Sequence, residues 1–203
     1  MVIEKRRVYK NYEEYTAHQL SKTASQSLRK RLNRKFKGKV EKFKKRFIHF
    51  KEENVLLEGN KVLCMGARMG EEVVALNDLG LDAIGIDLEP NPPFVIKADF
   101  NNLPFDSESY DVVYTNSFDH AWDASMFFGN VYNILKKDGY FIIDVFPGEE
   151  NYARCEVLMI GKADDVIKIA CQDDKFEFIG KTTKKIPSLQ RRHKEVQLLF
   201  KRK

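Results

Sequence analysis

The chain has 203 residues, 43% hydrophobic and 32% charged, with 15 Phe, 8 Tyr and only 6 Pro. That suits one domain with a sizeable core and is too apolar for disorder, while a mean hydropathy of −0.47 argues against a membrane-embedded chain. The net charge of +5 is unevenly spread: residues 1–51 hold 17 Lys and Arg against four Asp and Glu, and the remainder holds 18 against 26. A basic arm therefore precedes an acidic body, and the arm is expected either to dock on that body or to face an anionic partner.

Several classes drop out early. No apolar run approaches the roughly 20 residues that span a bilayer, so no transmembrane segment is expected. Residues 1–30 are polar from Glu4 onward, without the apolar stretch of a secretory signal. Cys64, Cys155 and Cys171 are odd in number and far apart, which reads as reduced thiols of a cytoplasmic protein. None of the four His pairs with another at ligand spacing, so no structural metal is expected.

The segment from Tyr12 to Arg34 lacks Pro and Gly and is expected to be mostly helical, with an interruption at Gly38. Phe36, Val40, Phe43, Phe47 and Phe50 then recur at steps of 4, 3, 4 and 3, one apolar helical stripe. Lys37, Lys42, Lys44, Lys45 and Arg46 fall largely on other faces. The stripe is expected to dock on the core, with an RNA-binding or membrane-surface face as the alternative. Residues 1–52 read as a helical extension or lid and 53–203 as the main domain.

From Asn60 the rhythm becomes strand–helix alternation. Lys61–Met65 is a strand, Glu71–Leu79 a helix closed by Gly80, and Ala83–Asp87, Phe94–Asp99 and Tyr110–Tyr114 are further strands. A helix through Trp122–Leu135 leads to a fifth strand, Gly139–Phe146. A helix near Ala163–Gln172 precedes two β-rich runs, Lys175–Thr183 and Glu195–Phe200, which suit an antiparallel pair at the sheet edge. This order predicts an α/β fold with a mostly parallel sheet.

Ligands of such sheets sit at the carboxyl ends of the strands. The first strand feeds Gly66-Ala-Arg-Met-Gly70, a tight turn into a helix. The second ends in Asp87, 21 residues after Gly66, where a carboxylate can accept from a ribose diol. The third ends in Asp99-Phe100, and the fourth runs into Thr115-Asn-Ser-Phe-Asp-His-Ala-Trp122. A dinucleotide would call for a third glycine, and Glu71 and Glu72 at the helix start would repel its pyrophosphate but tolerate a cation.

Taken in order, Val62-Leu-Cys-Met-Gly-Ala-Arg-Met-Gly-Glu-Glu-Val73, Gly85-Ile-Asp-Leu88, Lys97-Ala-Asp-Phe100, Leu103-Pro-Phe105, Tyr110-Asp-Val-Val-Tyr-Thr-Asn116 and Leu135-Lys-Lys-Asp-Gly139 resemble a class I S-adenosylmethionine-dependent methyltransferase over about residues 55–147. The resemblance implies a Rossmann-like, seven-stranded, mostly parallel sheet with a C-terminal antiparallel hairpin, behind an N-terminal helical extension. It implies S-adenosylmethionine, leaving as S-adenosylhomocysteine, over Gly66, Ala67, Arg68, Gly70 and Glu72. The ribose falls on Asp87 and Leu88, the adenine near Asp99 and Phe100, and Asn116 and Ser117 complete the site. Cys64 departs from the acid that many members carry there, and Ala67-Arg68 replace part of the glycine-rich loop. The Gly-Ala-Arg loop with Asn-Ser-x-Asp-His resembles a subgroup of the family, and no Asp/Asn-Pro-Pro-Tyr/Phe motif of base or amide N-methylation follows strand four.

Methyl transfer to an alcohol needs one proton removed. His120 is the first candidate for that base, Asp119 the second, with Asp123 and Asp144 as orienting or substrate-binding groups. Asp119 could equally be the N-cap of the next helix. A Mg²⁺ held by Asp119, Asp123 and Asp144 is allowed by the spacing but not favoured. Tyr12, Tyr15 and Gln19 share a helix face that could cover the cofactor or contact a sugar, in an arm resembling leaders of methyltransferases encoded beside glycan-assembly enzymes. A saccharide or glycoconjugate acceptor comes first, RNA second, and a non-catalytic binding domain third.

Overall fold

The computed structural model describes residues 3–5, 7–21, 25–148, 157–182, 186–189 and 195–203. Cys155 and Thr183 lie outside the described residues. Strands β1 to β9 are Glu4–Lys5, Lys61–Met65, Asp82–Asp87, Val95–Lys97, Tyr110–Thr115, Leu135–Val145, Leu158–Met159, Phe176–Lys181 and Val196–Arg202. Helices α1 to α5 are Tyr12–Ser21, Gln26–Glu52, Glu71–Asp78, Ala124–Ile134 and Ala163–Ala170.

Seven strands form one sheet in the order β4-β3-β2-β5-β6-β9-β8. β4 through β6 run parallel, while β9 is antiparallel to both β6 and β8. The expected mostly parallel sheet with a C-terminal hairpin is therefore what the chain adopts. The chain leaves β2 toward β3 and β4, then crosses back to lay β5 on the other side of β2. That reversal opens a crevice at the carboxyl ends of β2 and β5.

Side-chain alternation along the strands sorts the core into two layers. Leu63, Met65, Val113, Phe141 and Ile143 face α4 and α5, whereas Val62, Cys64, Val112, Tyr114 and Ile142 face α2 and α3. Val40, Phe43, Phe47 and Phe50 of α2 are buried in the second layer, as the stripe predicts. Each fully buried side chain of that kind contributes roughly 1.5–3 kcal/mol. The stripe is thus the anchor of α2. Ion pairs from Lys39 to Glu71 (3.2 Å) and from Lys44 to Asp78 (2.6 Å) tie α2 to α3.

Two local expectations fail. α2 runs unbroken through Gly38, because packing on either side outweighs a cost of about 1 kcal/mol for glycine in a helix. Arg46, placed by its charge on an outer face, is fully buried. It is three residues past Phe43 and four before Phe50, inside the stripe, and partners from other elements supply its countercharge. Among the described residues, no helix is long and apolar enough to cross a membrane.

Candidate active site

The crevice holds two adjoining cavities. The larger, about 180 Å³, lies between the β2–α3 loop, the β5–α4 loop and one side of α2. The smaller, about 50 Å³, lies over the end of β3 beneath α1. Gly66, Arg68, Ser117 and His120 line both, so these four residues form the wall between them.

Gly66 takes a φ of +75°, and a Cβ there would come within 2.7 Å of the Ser117 Cβ. Only a bare backbone fits where the two loops meet. Arg68 also has a positive φ, 39°, at a position where a glycine would sit without strain. The Asp87 carboxylate holds it there, accepting the Arg68 N–H at 3.0 Å and the Glu89 N–H at 2.9 Å. Burial raises the pKa of Asp87, although those two donors and the Arg68 charge oppose the rise. Each Asp87 oxygen keeps a further lone pair for a ligand. Asp87 and Leu88 line the smaller cavity.

Phe100 lines the same cavity, whereas Asp99, half-buried, does not. Asp99 Oδ1 accepts from the Asn101 backbone (2.8 Å) and side chain (3.0 Å), and Oδ2 accepts from the Tyr12 hydroxyl. Burial first, then that bond, holds the Tyr12 phenol well above its usual range, so Tyr12 is a donor and not a base. Tyr15 donates to the His120 carbonyl (3.0 Å) and accepts from Asn101 (2.9 Å). Tyr15 and Gln19 line the smaller cavity, and Tyr9, Tyr12 and Tyr15 pack around Trp122. α1 is therefore a roof over the end of β3.

Asp119 and His120 lie in a 3₁₀ turn, Phe118–His120. Val157 donates to the Asp119 carbonyl at 2.8 Å, which fixes the turn from the β7 side. Both residues line the larger cavity with Ala67, Asn116, Glu72, Phe43 and Phe146. Ser117 Oγ hydrogen-bonds Asn116 Oδ1 at 3.0 Å. Gly70 begins α3 with a φ of 82°.

Glu71 and Glu72 do not act as two free anions. Glu71 is paired with Lys39, and burial, then the Glu71 charge, pushes Glu72 up to about 8. At neutral pH that leaves one ion pair and one carboxyl group, so repulsion of a pyrophosphate is weaker here than the sequence suggests.

Two predicted site residues stand apart. Asp123 is the N-cap of α4, accepting the Met126 N–H at 2.9 Å, the role weighed above for Asp119. Asp144 lines neither cavity. It is sealed under α2, paired with Arg46 at 2.7 Å and accepting the Tyr114 hydroxyl at 2.5 Å. Asp119, Asp123 and Asp144 thus belong to three different environments. No group of three or more His, Cys, Asp or Glu is arranged to hold a metal ion among the described residues. Sequence reasoning missed Lys39, Phe43 and Phe146 as cavity lining. For Phe43 and Lys39 the only available signal was their shared helix face.

The family profile described as "Methyltransferase domain" matches residues 63–143. No curated protein matches the chain in sequence. Among solved structures, 1,6-didemethyltoxoflavin-N1-methyltransferase from Burkholderia thailandensis, with bound 1,6-didemethyltoxoflavin and S-adenosylhomocysteine, superposes with a TM-score of 0.73 at 15% identity, covering 98% of this chain and 94% of that one. A SAM-dependent methyltransferase from Methanosarcina mazei gives 0.61 at 13% identity, covering 75% and 96%. An S-adenosylmethionine-dependent methyltransferase from Clostridium acetobutylicum gives 0.61 at 15%, covering 79% and 91%. At such identities the likeness is one of fold, and the matched segment carries the glycine loop, Asp87 and the Asp119-His120 turn.

Proposed function

We propose, from the premise that this chain is an S-adenosylmethionine-dependent methyltransferase, that it methylates a sugar hydroxyl of a glycan or glycoconjugate with His120 as general base. One observation carries the reading: His120 lines both cavities, at the wall between the cofactor side and the acceptor side. A base in that place reaches an acceptor held next to the donor.

The residues fit the cofactor. Gly66 puts bare backbone at the seam of the two cavities, buried Glu72 offers a carboxyl group on the larger-cavity side of that seam to a cationic amino-acid tail, and Asp87 keeps lone pairs for ribose hydroxyls. Phe100 offers an aromatic border for the adenine. When bound, S-adenosylmethionine supplies a methyl group made electrophilic by its sulfonium charge. The chain's task is then orientation and proton removal.

His120 takes the proton of the acceptor hydroxyl. Asp119 and Asn116, beside it in the larger cavity, hydrogen-bond neighbouring hydroxyls, and the rings of Phe43 and Phe146 offer faces for a sugar to stack on. Tyr12, Tyr15 and Gln19 serve as the cofactor's roof instead of contacting sugar. Polar groups of this density beside two aromatic rings suit a saccharide better than a flat apolar acceptor.

The test is transfer of labelled methyl to a panel of oligosaccharides, RNA and small aromatic acceptors. A saccharide product is expected, and His120→Ala should lower kcat by about 10²–10⁴ while leaving cofactor affinity unchanged. Methylation of RNA or an aromatic acceptor alone would overturn the saccharide assignment. An unchanged kcat in His120→Ala would remove the base.

A further inference from the structure

The cations of α2 fall into groups, with Lys42 and Lys51 bonded to the Ser188 and Leu79 carbonyls. Arg29, Lys39, Lys44 and Arg46 are paired with Glu89, Glu71, Asp78 and Asp144 of the body. Lys30, Arg31, Arg34, Lys35, Lys37 and Lys45 are exposed, and none makes an ion pair or hydrogen bond with a described residue. The docking contacts have been made, and six charges remain outside them.

Five of the six repel one another. Lys30 and Arg34, Arg31 and Arg34, Arg31 and Lys35, and Arg34 and Lys37 stand three or four residues apart, where like charges destabilise a helix. Glu41 is the one acid of α2 before its last turn, and its carboxylate is taken by Lys44. An anion laid along this face would offset that repulsion. The stripe from residue 30 to 45 is about 22 Å long at 1.5 Å per residue.

The stripe also meets the acceptor cavity. Leu32 and Lys39 line the cavity, and Lys35 lies on the same helix face, three residues after one and four before the other. The basic face thus runs beside the cavity over the same turns of α2, with Lys35 at the edge between them.

We infer that the outer face of α2 binds the body of an anionic saccharide, one carrying sulfate, phosphate or carboxylate groups, while its terminal sugar enters the cavity. This rests on the saccharide reading above. The face favours that occupant over two other polyanions. It presents no aromatic side chain on which RNA bases could stack, since Phe36, Phe43, Phe47 and Phe50 turn inward. It has no apolar edge for a bilayer except Ile48 at its far end. Charge is what it offers, spaced along a rod.

The full chain is titrated with a fluorescent heparin octasaccharide, a neutral dextran of equal length, a single-stranded RNA of equal charge, and phosphatidylserine vesicles. The octasaccharide is expected to bind best, with an affinity that falls steeply as salt rises. The triple variant Lys30→Gln, Arg34→Gln, Lys37→Gln should weaken it at least tenfold, with S-adenosylhomocysteine affinity unchanged. Tighter binding of RNA or vesicles, equal binding of dextran, or an unaffected variant would each overturn the inference. Because no methyl transfer is measured, the failure of His120 as base and the failure of this surface register separately.

Discussion

Asp87 and Asp144 both stand near the carboxyl ends of parallel strands, yet Asp87 lines a cavity and Asp144 is sealed in the protein interior. Their side chains share the parity that points toward α2 and α3. At the end of β6, α2 delivers Arg46, which also contacts Glu195 and the Pro187 carbonyl, both at 2.7 Å. At the end of β3 the partners of Asp87 are backbone N–H groups of adjoining loops. A strand-end carboxylate is open to a ligand where backbone donors hold it and the nearby cation, here Arg68, is not locked onto it as Arg46 is onto Asp144.

The largest expected effect tests the sealed end. Arg46→Ala strands Asp144 and Glu195 without their cation, and breaking a buried pair in this way costs about 3–5 kcal/mol. Urea unfolding should show that loss, while the folded fraction binds S-adenosylhomocysteine as the parent does. If cofactor affinity fell as far as stability, the two ends would not be separate.

At the open end the sign reverses. Asp87→Ala should lower affinity for S-adenosylhomocysteine by about 100-fold, since hydrogen bonds to a charged group contribute roughly 1.5–3 kcal/mol each. Stability should fall less, by about 1 kcal/mol, as Arg68 and Glu89 lose one acceptor apiece. Calorimetry alongside unfolding separates the two numbers. A stability loss matching that of Arg46→Ala would make Asp87 another interior strut.

Why one aspartate was legible in the sequence and the other was not follows from their partners. Gly66 and Asp87 belong to one β-α-β unit, so their spacing survives in the sequence, and strand alternation gave the sheet in the same local way. The partners of Asp144 are Arg46 and Tyr114, and Arg46 is shared with Glu195, a cluster brought together only by the complete sheet. Arg46 did leave a signal, a charge inside an apolar stripe. The bond from Tyr12 to Asp99 joins residues 87 positions apart and left none. The ambiguity between Asp119 and Asp123 as N-cap was settled by where α4 starts, a boundary that local propensity fixes poorly.

Glu72 sharpens the contrast through pH. Its carboxyl is pushed up to about 8 from 4.5, so its contribution to stability is complete below about pH 4.5 and is lost as pH rises through about 8. Thermal unfolding should show stability declining across that window, and Glu72→Gln should flatten the decline. Cofactor binding is expected to run the other way. A cationic amino-acid tail favours the ionised carboxylate, so affinity should rise from pH 6 toward 8 in the parent and stay level in Glu72→Gln. Calorimetry in buffers of different ionisation heat would detect the released proton, and its absence would detach Glu72 from the ligand.

The smallest expected effect returns to α2, the helix that seals Asp144. Gly38 lies within its unbroken run, and a Cβ built there meets nothing within 4 Å. Gly38→Ala restricts the unfolded chain and suits the helix, so it should stabilise by about 0.4–1 kcal/mol. Lys39 is the next residue, and its pairing with Glu71 joins this helix to the start of α3 beside the larger cavity. If α2 acts on the open end only as a fixed wall, the gain will appear in unfolding and leave S-adenosylhomocysteine affinity unchanged. An affinity change of severalfold would mean that α2 bends at Gly38 when ligand binds, and the two strand ends would then be coupled through the helix that lies over both.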